Sequence, residues 1–230
     1  MDKVVAILQP GYLPWLGMIA QLDHADTFVI YDSVQYDRDG WRNRNRIKTP
    51  QGAQWLTVPV MVDGFPLIKD VEIDNHTNWA IKHLKSIRQN YSRAPYFDKY
   101  FNIFERIYSD TWKYLVDLDA AFIIELKDAL GIDTHIRYSS AMRITGERTQ
   151  RLIDMCLKLG ATEFIEGAAG KVYLEGKGEQ MFKDNGIKLT YQEYHHPVYN
   201  QLYGEFISHL SVIDLLFNHG PASLEIIRKG

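Results

Sequence analysis

Two side chains in this sequence have the chemistry and the setting for proton transfer. His196 precedes Pro197 at the end of an expected strand, where an imidazole can act as a general base or hydrogen-bond a substrate, with Tyr199 and Gln201 close by. Asp32 follows the run Thr27-Phe28-Val29-Ile30-Tyr31. A carboxylate at the end of a strand can order a ribose, a metal or a substrate amine, and before Ser33 it can equally cap a turn. We take His196 and Asp32 as the catalytic candidates. The histidines show no ligand spacing such as His-Glu-x-x-His, adjacent His195 and His196 point apart in an extended chain, and Cys156 is the single cysteine, so we expect no metal site.

The most concentrated charge lies in Arg38-Asp39-Gly40-Trp41-Arg42-Asn43-Arg44-Asn45-Arg46-Ile47-Lys48. In an extended chain, a period of two puts Arg42, Arg44, Arg46 and Lys48 on one face and Trp41, Asn43, Asn45 and Ile47 on the other. Such a row is either a solvated edge strand or is gathered around an anion. The interleaved amides and indole favour the anion, with Trp41, Arg42, Asn43, Arg44 and Lys48 as binding residues. A second anion candidate is the loop Glu166-Gly167-Ala168-Ala169-Gly170-Lys171, whose small residues let backbone N–H groups approach a ligand and whose Lys171 would answer its charge. The loop is not the G-x-x-x-x-G-K-[ST] phosphate motif, because the spacing between its glycines is too short and Val172 replaces the hydroxyl. Gln9, Tyr12 and Trp15 complete the set, at the junction where a buried strand gives way to Pro10-Gly11 and Pro14.

These residues need elements to position them. Val4 to Ile7 is an unbroken apolar run, the pattern of a strand covered on both faces. Trp15 to Asp23 reads as a short helix and Thr27 to Tyr31 as a second strand, giving a βαβ unit with Asp32 and Gln9 at the same edge. The basic segment, the turn Thr49-Pro50-Gln51-Gly52 and the strand Gln54 to Val60 form a β-hairpin, and Val71 to Ile73 is one more short strand. From Thr77 to Leu130 the apolar spacing is helical in three successive stretches, the last capped by Gly131. The βα pattern then returns. Thr134 to Tyr138 is a strand, Thr145 caps a helix carrying Leu152, Ile153 and buried Cys156, and Glu163 to Ile165 is a strand. A short helix ends at Gly186, Ile187 to Tyr194 is the last strand, and Ser211 caps a closing helix with Asp214 placed as in a capping box. The expected fold is α/β: a mostly parallel Rossmann-like sheet with a β-hairpin and a three-helix insertion. We expect residues 1–230 to form a single α/β domain, with 77–131 a helical insertion or lid.

Composition narrows the partners. The 230 residues are 46% hydrophobic with a formal charge of -3, so no global positive field would draw the chain onto a phosphate backbone, and we expect no nucleic-acid partner. One cysteine fits a reducing compartment, the N-terminal apolar run is too short for a signal peptide, and no run reaches the roughly 18 residues of a transmembrane segment. We expect a cytoplasmic protein.

In their order along the chain these motifs resemble the WbqC-like family. The N-terminal half carries the resemblance through Gln9-Pro10-x-Tyr12-x-Pro14-Trp15-x-Gly17, Asp32-x-x-Gln35-Tyr36, Trp41-x-Asn43-Arg44-x-x-Ile47-Lys48 and Trp55-Leu56-Thr57-x-Pro59-Val60. The C-terminal half does so through Glu166-Gly167-x-x-Gly170-Lys171-x-Tyr173-Leu174, His196-Pro197-x-Tyr199-x-Gln201 and Leu210-Ser211-x-x-Asp214-Leu215-Leu216-Phe217-Asn218-x-Gly220. The chain departs from the pattern at Ile207-Ser208-His209, where a proline near His209 is expected. The motifs add Gln35 and Tyr173 to the substrate-binding candidates. The resemblance implies a setting in bacterial O-antigen or other surface-polysaccharide biosynthesis and an activity such as transfer of glycine onto a sugar. It carries over no catalytic residue.

The preferred reading is therefore a transferase that moves an aminoacyl or acyl group to a sugar or similar acceptor from a phosphate-containing activated donor. Its ligand would be an anionic small molecule such as a nucleotide or nucleotide-sugar; the sequence identifies no cofactor. Two alternatives stand beside it: a nucleotidyltransferase or adenylate-forming ligase, and a non-catalytic module that binds a nucleotide-sugar or partner. The βα start is architecturally like the HIGH-type nucleotidyltransferases, yet no His-x-x-His or His-x-Gly-His lies in Gln9 to Gln21, so that likeness is one of fold alone.

Overall fold

Five strands, β1 (Val4–Leu8), β2 (Thr27–Ile30), β7 (His135–Tyr138), β8 (Glu163–Gly167) and β9 (Lys188–Gln192), pair in the order β7-β2-β1-β8-β9, every pair parallel. The computed structural model describes residues 3–146 and 148–230. The chain builds outward from β1 on one side, then returns to the other side with β8, so the direction of winding reverses between β1 and β8. In open parallel sheets that reversal leaves a crevice beyond the carboxyl ends of the strands. Helices α1 (Leu16–His24), α2 (Trp79–Tyr91), α3 (Phe97–Ser109), α4 (Leu115–Leu130), α5 (Ser139–Met142), α6 (Arg148–Leu159), α7 (Lys171–Leu174), α8 (Lys177–Asp184), α9 (Val212–His219) and α10 (Ser223–Ile227) complete the regular structure, with three 3₁₀ turns.

The unbroken apolar character of β1 and β2 reflects two separate cores. Ala6, Phe28 and Ile30 pack with α1, α9 and the helices α2 to α4 on one face; Val5, Ile7 and Val29 pack with Phe164, Ile153, Cys156 and Phe182 on the other. Each side chain follows the period of two in its strand, and both faces are dry.

Adjacent strands β2 and β7 are separated by residues 31–134. That stretch holds the hairpin β3 (Arg44–Thr49) and β4 (Gly52–Thr57), the two-residue strands β5 (Val60–Met61) and β6 (Glu72–Ile73), and the three helices. The aromatics of the helices are core: Phe104, Phe122 and Phe217 are fully buried, and Phe104 lies 5.3 Å from the Phe217 ring.

Two helix-cap expectations fail. Helix α6 begins at Arg148, three residues beyond Thr145, so Thr145 does not cap it. Ser211 does cap α9, accepting from the Ile213 N–H at 3.4 Å. Asp214, however, makes no capping box. Its carboxylate turns inward, 0% exposed, to accept from the hydroxyls of Tyr91 at 2.9 Å and Tyr199 at 3.0 Å.

Candidate functional site

The strand-end rule points to a candidate site. A cavity of about 570 Å³ opens where β1, β2, β8 and β9 end, at the winding reversal. Gln9 enters it from beyond β1, Tyr31 from beyond β2, Glu166 and Gly167 from the end of β8, and Gln192 from the end of β9; Gln21, Tyr173 and Tyr194 line it as well. The size suits a nucleotide-sized ligand.

Glu166 is the ionisable group best placed for chemistry there. It is 8% exposed, one carboxylate oxygen accepts from the Gly167 N–H at 2.9 Å, and the other accepts from the Tyr173 hydroxyl at 3.0 Å. Burial raises its pKa above the ordinary glutamate value, and those two hydrogen bonds offset part of the rise. The side chain fits because position 170 is glycine, since a Cβ there would lie 2.2 Å from the Glu166 Cγ. The small-residue loop thus folds over a buried carboxylate while lining the cavity. Lys171 is exposed and sits 6.0 Å from the centre of the Tyr191 ring, outside the cavity wall.

The loop from Gln9 to Trp15 is held from four directions. Arg42 Nη1 donates to the carbonyls of Gln9 at 3.0 Å and Pro10 at 2.9 Å. Tyr12 N–H donates to the Arg42 carbonyl at 3.0 Å, and Asn45 Nδ2 to the Leu13 carbonyl at 2.6 Å. Behind the loop the buried Tyr12 hydroxyl meets His83 Nδ1 at 2.8 Å and the Tyr108 hydroxyl. Val212 N–H donates to the Pro14 carbonyl at 2.9 Å. This bracing sustains a left-handed Leu13, φ 47°, which an unconstrained leucine avoids. Trp15 then folds over the first turn of α1; a Cβ at Gly17 would come 2.2 Å from its indole.

The Nη and Nζ donors of the basic row reach protein acceptors, while Arg42, Arg44 and Arg46 each keep a buried Nε with no hydrogen-bond partner among the described residues. Arg44 and Arg46 do share the face of β3 opposite the buried Asn45 and Ile47. Arg44 donates to the Asp39 carbonyl at 2.9 Å, and Arg46 to the His209 carbonyl at 3.2 Å. Lys48 is 2% exposed and donates to Gln201 Oε1 at 3.0 Å and to the Glu205 carbonyl. Arg42 precedes β3 and turns beneath the Gln9 loop. Trp41 lies on the arginine side rather than opposite it, 5.4 Å from Arg46 and 5.0 Å from the Trp55 ring.

The crevice therefore collects Gln9, Trp15, Arg42, Gly167, Gly170 and Tyr173, while Tyr12 and Trp41 line a neighbouring cavity. The other candidates lie elsewhere. Asp32 is 2% exposed, and its carboxylate accepts from Ser139 Oγ at 2.7 Å, the Ser140 N–H at 2.8 Å and the Ser140 hydroxyl, fixing the start of α5. His196 packs between the rings of Tyr199, Phe206 and His209, with Nδ1 3.0 Å from the Pro197 carbonyl and Nε2 buried without a partner among the described residues. Burial lowers its pKa. Asn43 donates to the Val58 carbonyl at 2.8 Å, Tyr199 to Asp214, and Gln201 to the Ile207 carbonyl at 2.9 Å. Gln35 is exposed at an isolated bridge with Leu67.

Sequence reasoning passed over Glu166, Tyr31, Gln192, Tyr194 and Gln21. Tyr31 and Gln192 carry one signal that would have found them: each stands at, or one residue beyond, the carboxyl end of a parallel strand, the position used to choose Gln9, and Glu166 is the penultimate residue of β8.

Comparison with known proteins agrees with the motif order. The model of the WbqC-like protein family matches residues 9–226. The chain belongs to the WbqC-like family. A relative from Mycobacterium tuberculosis, the uncharacterized protein Rv1507c, is 36% identical over 230 residues, covering 98% of each chain. No solved structure matches. The crevice residues from Gln9 to Gln192 all fall inside the family match. Among the described residues no helix is long and apolar enough to cross a membrane, and no three His, Cys, Asp or Glu side chains converge as a metal site.

Proposed function

We propose that this WbqC-like protein is a transferase of bacterial surface-polysaccharide biosynthesis, working in the cytoplasm. It moves an aminoacyl or acyl group from a phosphate-activated donor to an amine or hydroxyl of a sugar-like acceptor. The observation that carries the reading is Glu166: a buried carboxylate with a raised pKa, at the winding reversal of a parallel sheet, facing a cavity of about 570 Å³. A carboxylate tuned upward toward neutral pH is a more effective proton acceptor than an ordinary one.

In the step we propose, the acceptor nitrogen or oxygen attacks the acyl carbon and its proton passes to Glu166. The new C–N or C–O bond forms, the acyl–oxygen bond to phosphorus breaks, and the phosphate leaves with the electron pair. Tyr173, donating to Glu166, holds the carboxylate in place. Gln9, Gln192 and Tyr31 supply uncharged contacts for orientation, which is where much of the rate of such a reaction originates. Asp32 and His196 act at a distance in this reading. Asp32 sets α5 beside the strand ends, and His196 supports His209 and Tyr194.

The test is a mass-spectrometric screen of activated acyl and aminoacyl donors against sugar and amino-sugar acceptors, run with the wild type and Glu166→Gln. A product bearing the transferred mass, formed by the wild type and lost in the variant, supports the reading. Equal product from both proteins sinks the role of Glu166. Retention of turnover in both Asp32→Asn and His196→Ala fits the positional roles given to those residues.

A further inference from the structure

Beside the crevice lies a second cavity of about 350 Å³. The two share Gln9, Trp15 and Arg42 as lining, so whatever fills one abuts whatever fills the other. The walls of the second are rings. Trp15 is stacked on His209 with centroids 5.8 Å apart and an 18° tilt, and Trp41, 40% exposed, is backed by Trp55. The Gln9 loop passes so close to Trp41 that a Cβ on Gly11 would sit 3.1 Å from the Trp41 carbonyl oxygen.

The polar groups decide what such a cavity can hold. No carboxylate lines it, and the one permanently charged side chain that does, Arg42, has its Nη1 engaged by two backbone carbonyls and its Nε buried away from the open volume, without a partner among the described residues. The Gln9 carbonyl is one of these acceptors, while its carboxamide has no hydrogen-bond partner among the described residues. A carboxamide offers donors and an acceptor side by side, the pattern that reads the edge of a ring bearing both. Two of the non-glycine residues at positive φ, Leu13 at 47° and His209 at 57°, flank this cavity. Backbone strain of that kind persists where surrounding structure enforces it, frequently at ligand sites.

We infer that the second cavity binds an uncharged ring with a flat apolar face, a pyranose or a nucleobase, stacked against the indole walls and hydrogen-bonded at its edge by Gln9. The ring belongs to the second reactant of the crevice. That last step rests on the transfer reading, whereas binding of the ring is measurable without turnover.

Saturation-transfer difference NMR, with dissociation constants from titration, separates the two sources of such a ring using methyl α-D-glucopyranoside in one arm and uridine in the other. Saturable binding in either arm, weakened about tenfold by Trp41→Ala, is the expected result, since stacking of a ring on an aromatic side chain is worth about 1–3 kcal/mol. Gln9→Ala, which removes the edge contact and leaves the walls standing, should weaken the same probe. Glu166→Gln should bind it as the wild type does. No saturable binding in either arm, or binding indifferent to both Trp41→Ala and Gln9→Ala, overturns the assignment. The two readings fail separately. Ring binding without transfer from any donor defeats the transfer reading alone, and transfer with an unchanged acceptor KM in Trp41→Ala defeats the ring site alone.

Discussion

The basic hairpin and the strand-end crevice lie against each other through the Gln9 loop, yet they use their polar groups in opposite ways. The hairpin has the higher charge, with Arg42, Arg44, Arg46 and Lys48 within seven residues, and each of the four donates to protein acceptors. The crevice has one buried carboxylate and several amides and hydroxyls around an open volume of about 570 Å³. Much of the hairpin's charge therefore goes into bracing, and in the reading proposed above it is the polarity of the crevice that meets the ligand. Arg42 pins the loop that carries Gln9 and Trp15 through its Nη1, and the buried Nε atoms of Arg42, Arg44 and Arg46 stay without a partner among the described residues.

Substitution at Glu166 should separate the two regions most sharply. Glu166→Gln keeps the shape of the side chain and its hydrogen-bond acceptor, but removes the proton-accepting group, so turnover should fall about 10²- to 10⁴-fold with the melting temperature little changed. On the same reading, the wild-type rate should climb with pH through a raised carboxylate pKa, because only the ionised form accepts a proton. That limb should disappear in the variant. A pH–rate profile identical in both proteins would move the chemistry elsewhere.

Lys48→Ala should show the opposite signature. Truncation leaves a cavity and two unpaired acceptors, Gln201 Oε1 and the Glu205 carbonyl, which together cost about 2–4 kcal/mol. Urea unfolding would register that loss. If Lys48→Ala were instead fully stable and unable to bind an anionic ligand, the hairpin would have to be redrawn as a binding element.

The brace should also be visible in acid. His83, 7% exposed and touching Tyr12, has its pKa pulled down to about 4, chiefly by burial. The unfolded chain takes up this proton near 6.5, the folded chain only near 4. The stability His83 carries is therefore complete above pH 6.5 and is lost progressively as pH falls toward 4, by up to about 3 kcal/mol. Unfolding free energies of the wild type and His83→Gln, compared across that window, isolate this effect from the buried carboxylates, whose raised pKa values act in the other direction.

Much of this architecture was legible in the residues, and the reason lies in the distance over which each signal acts. The strands β1 and β2, helix α1 and the hairpin turn depend on neighbours a few positions away, and their patterns are local. The winding reversal and the edge position of Gln9 follow from strand order, which the βα alternation constrains. The surroundings of Asp32 were not legible because its partners, Ser139 and Ser140, arrive from more than a hundred residues along the chain. The bracing contacts of the arginines were illegible for a deeper reason. Their acceptors are backbone carbonyls, which every residue possesses and no sequence pattern marks. Glu166 was within reach, but the small residues after it drew the eye to the loop and away from the carboxylate the loop encloses.

The smallest expected effect is also the most direct check on that lesson. Arg44 lies on the outer face of β3, stacked 5.2 Å from the Trp55 ring, with one hydrogen bond to the Asp39 carbonyl. Charge reversal by Arg44→Glu loses that contact and the cation–π attraction, about 0.5–1 kcal/mol at an exposed site. Were the row an anion site, the same change would place a carboxylate against a phosphate and weaken it by an order of magnitude or more, as loss of a charged hydrogen bond costs about 1.5–3 kcal/mol. Isothermal titration with a nucleotide-sugar that binds the wild type distinguishes the two. An affinity within twofold of wild type places the anion away from the hairpin, and a tenfold loss returns it there.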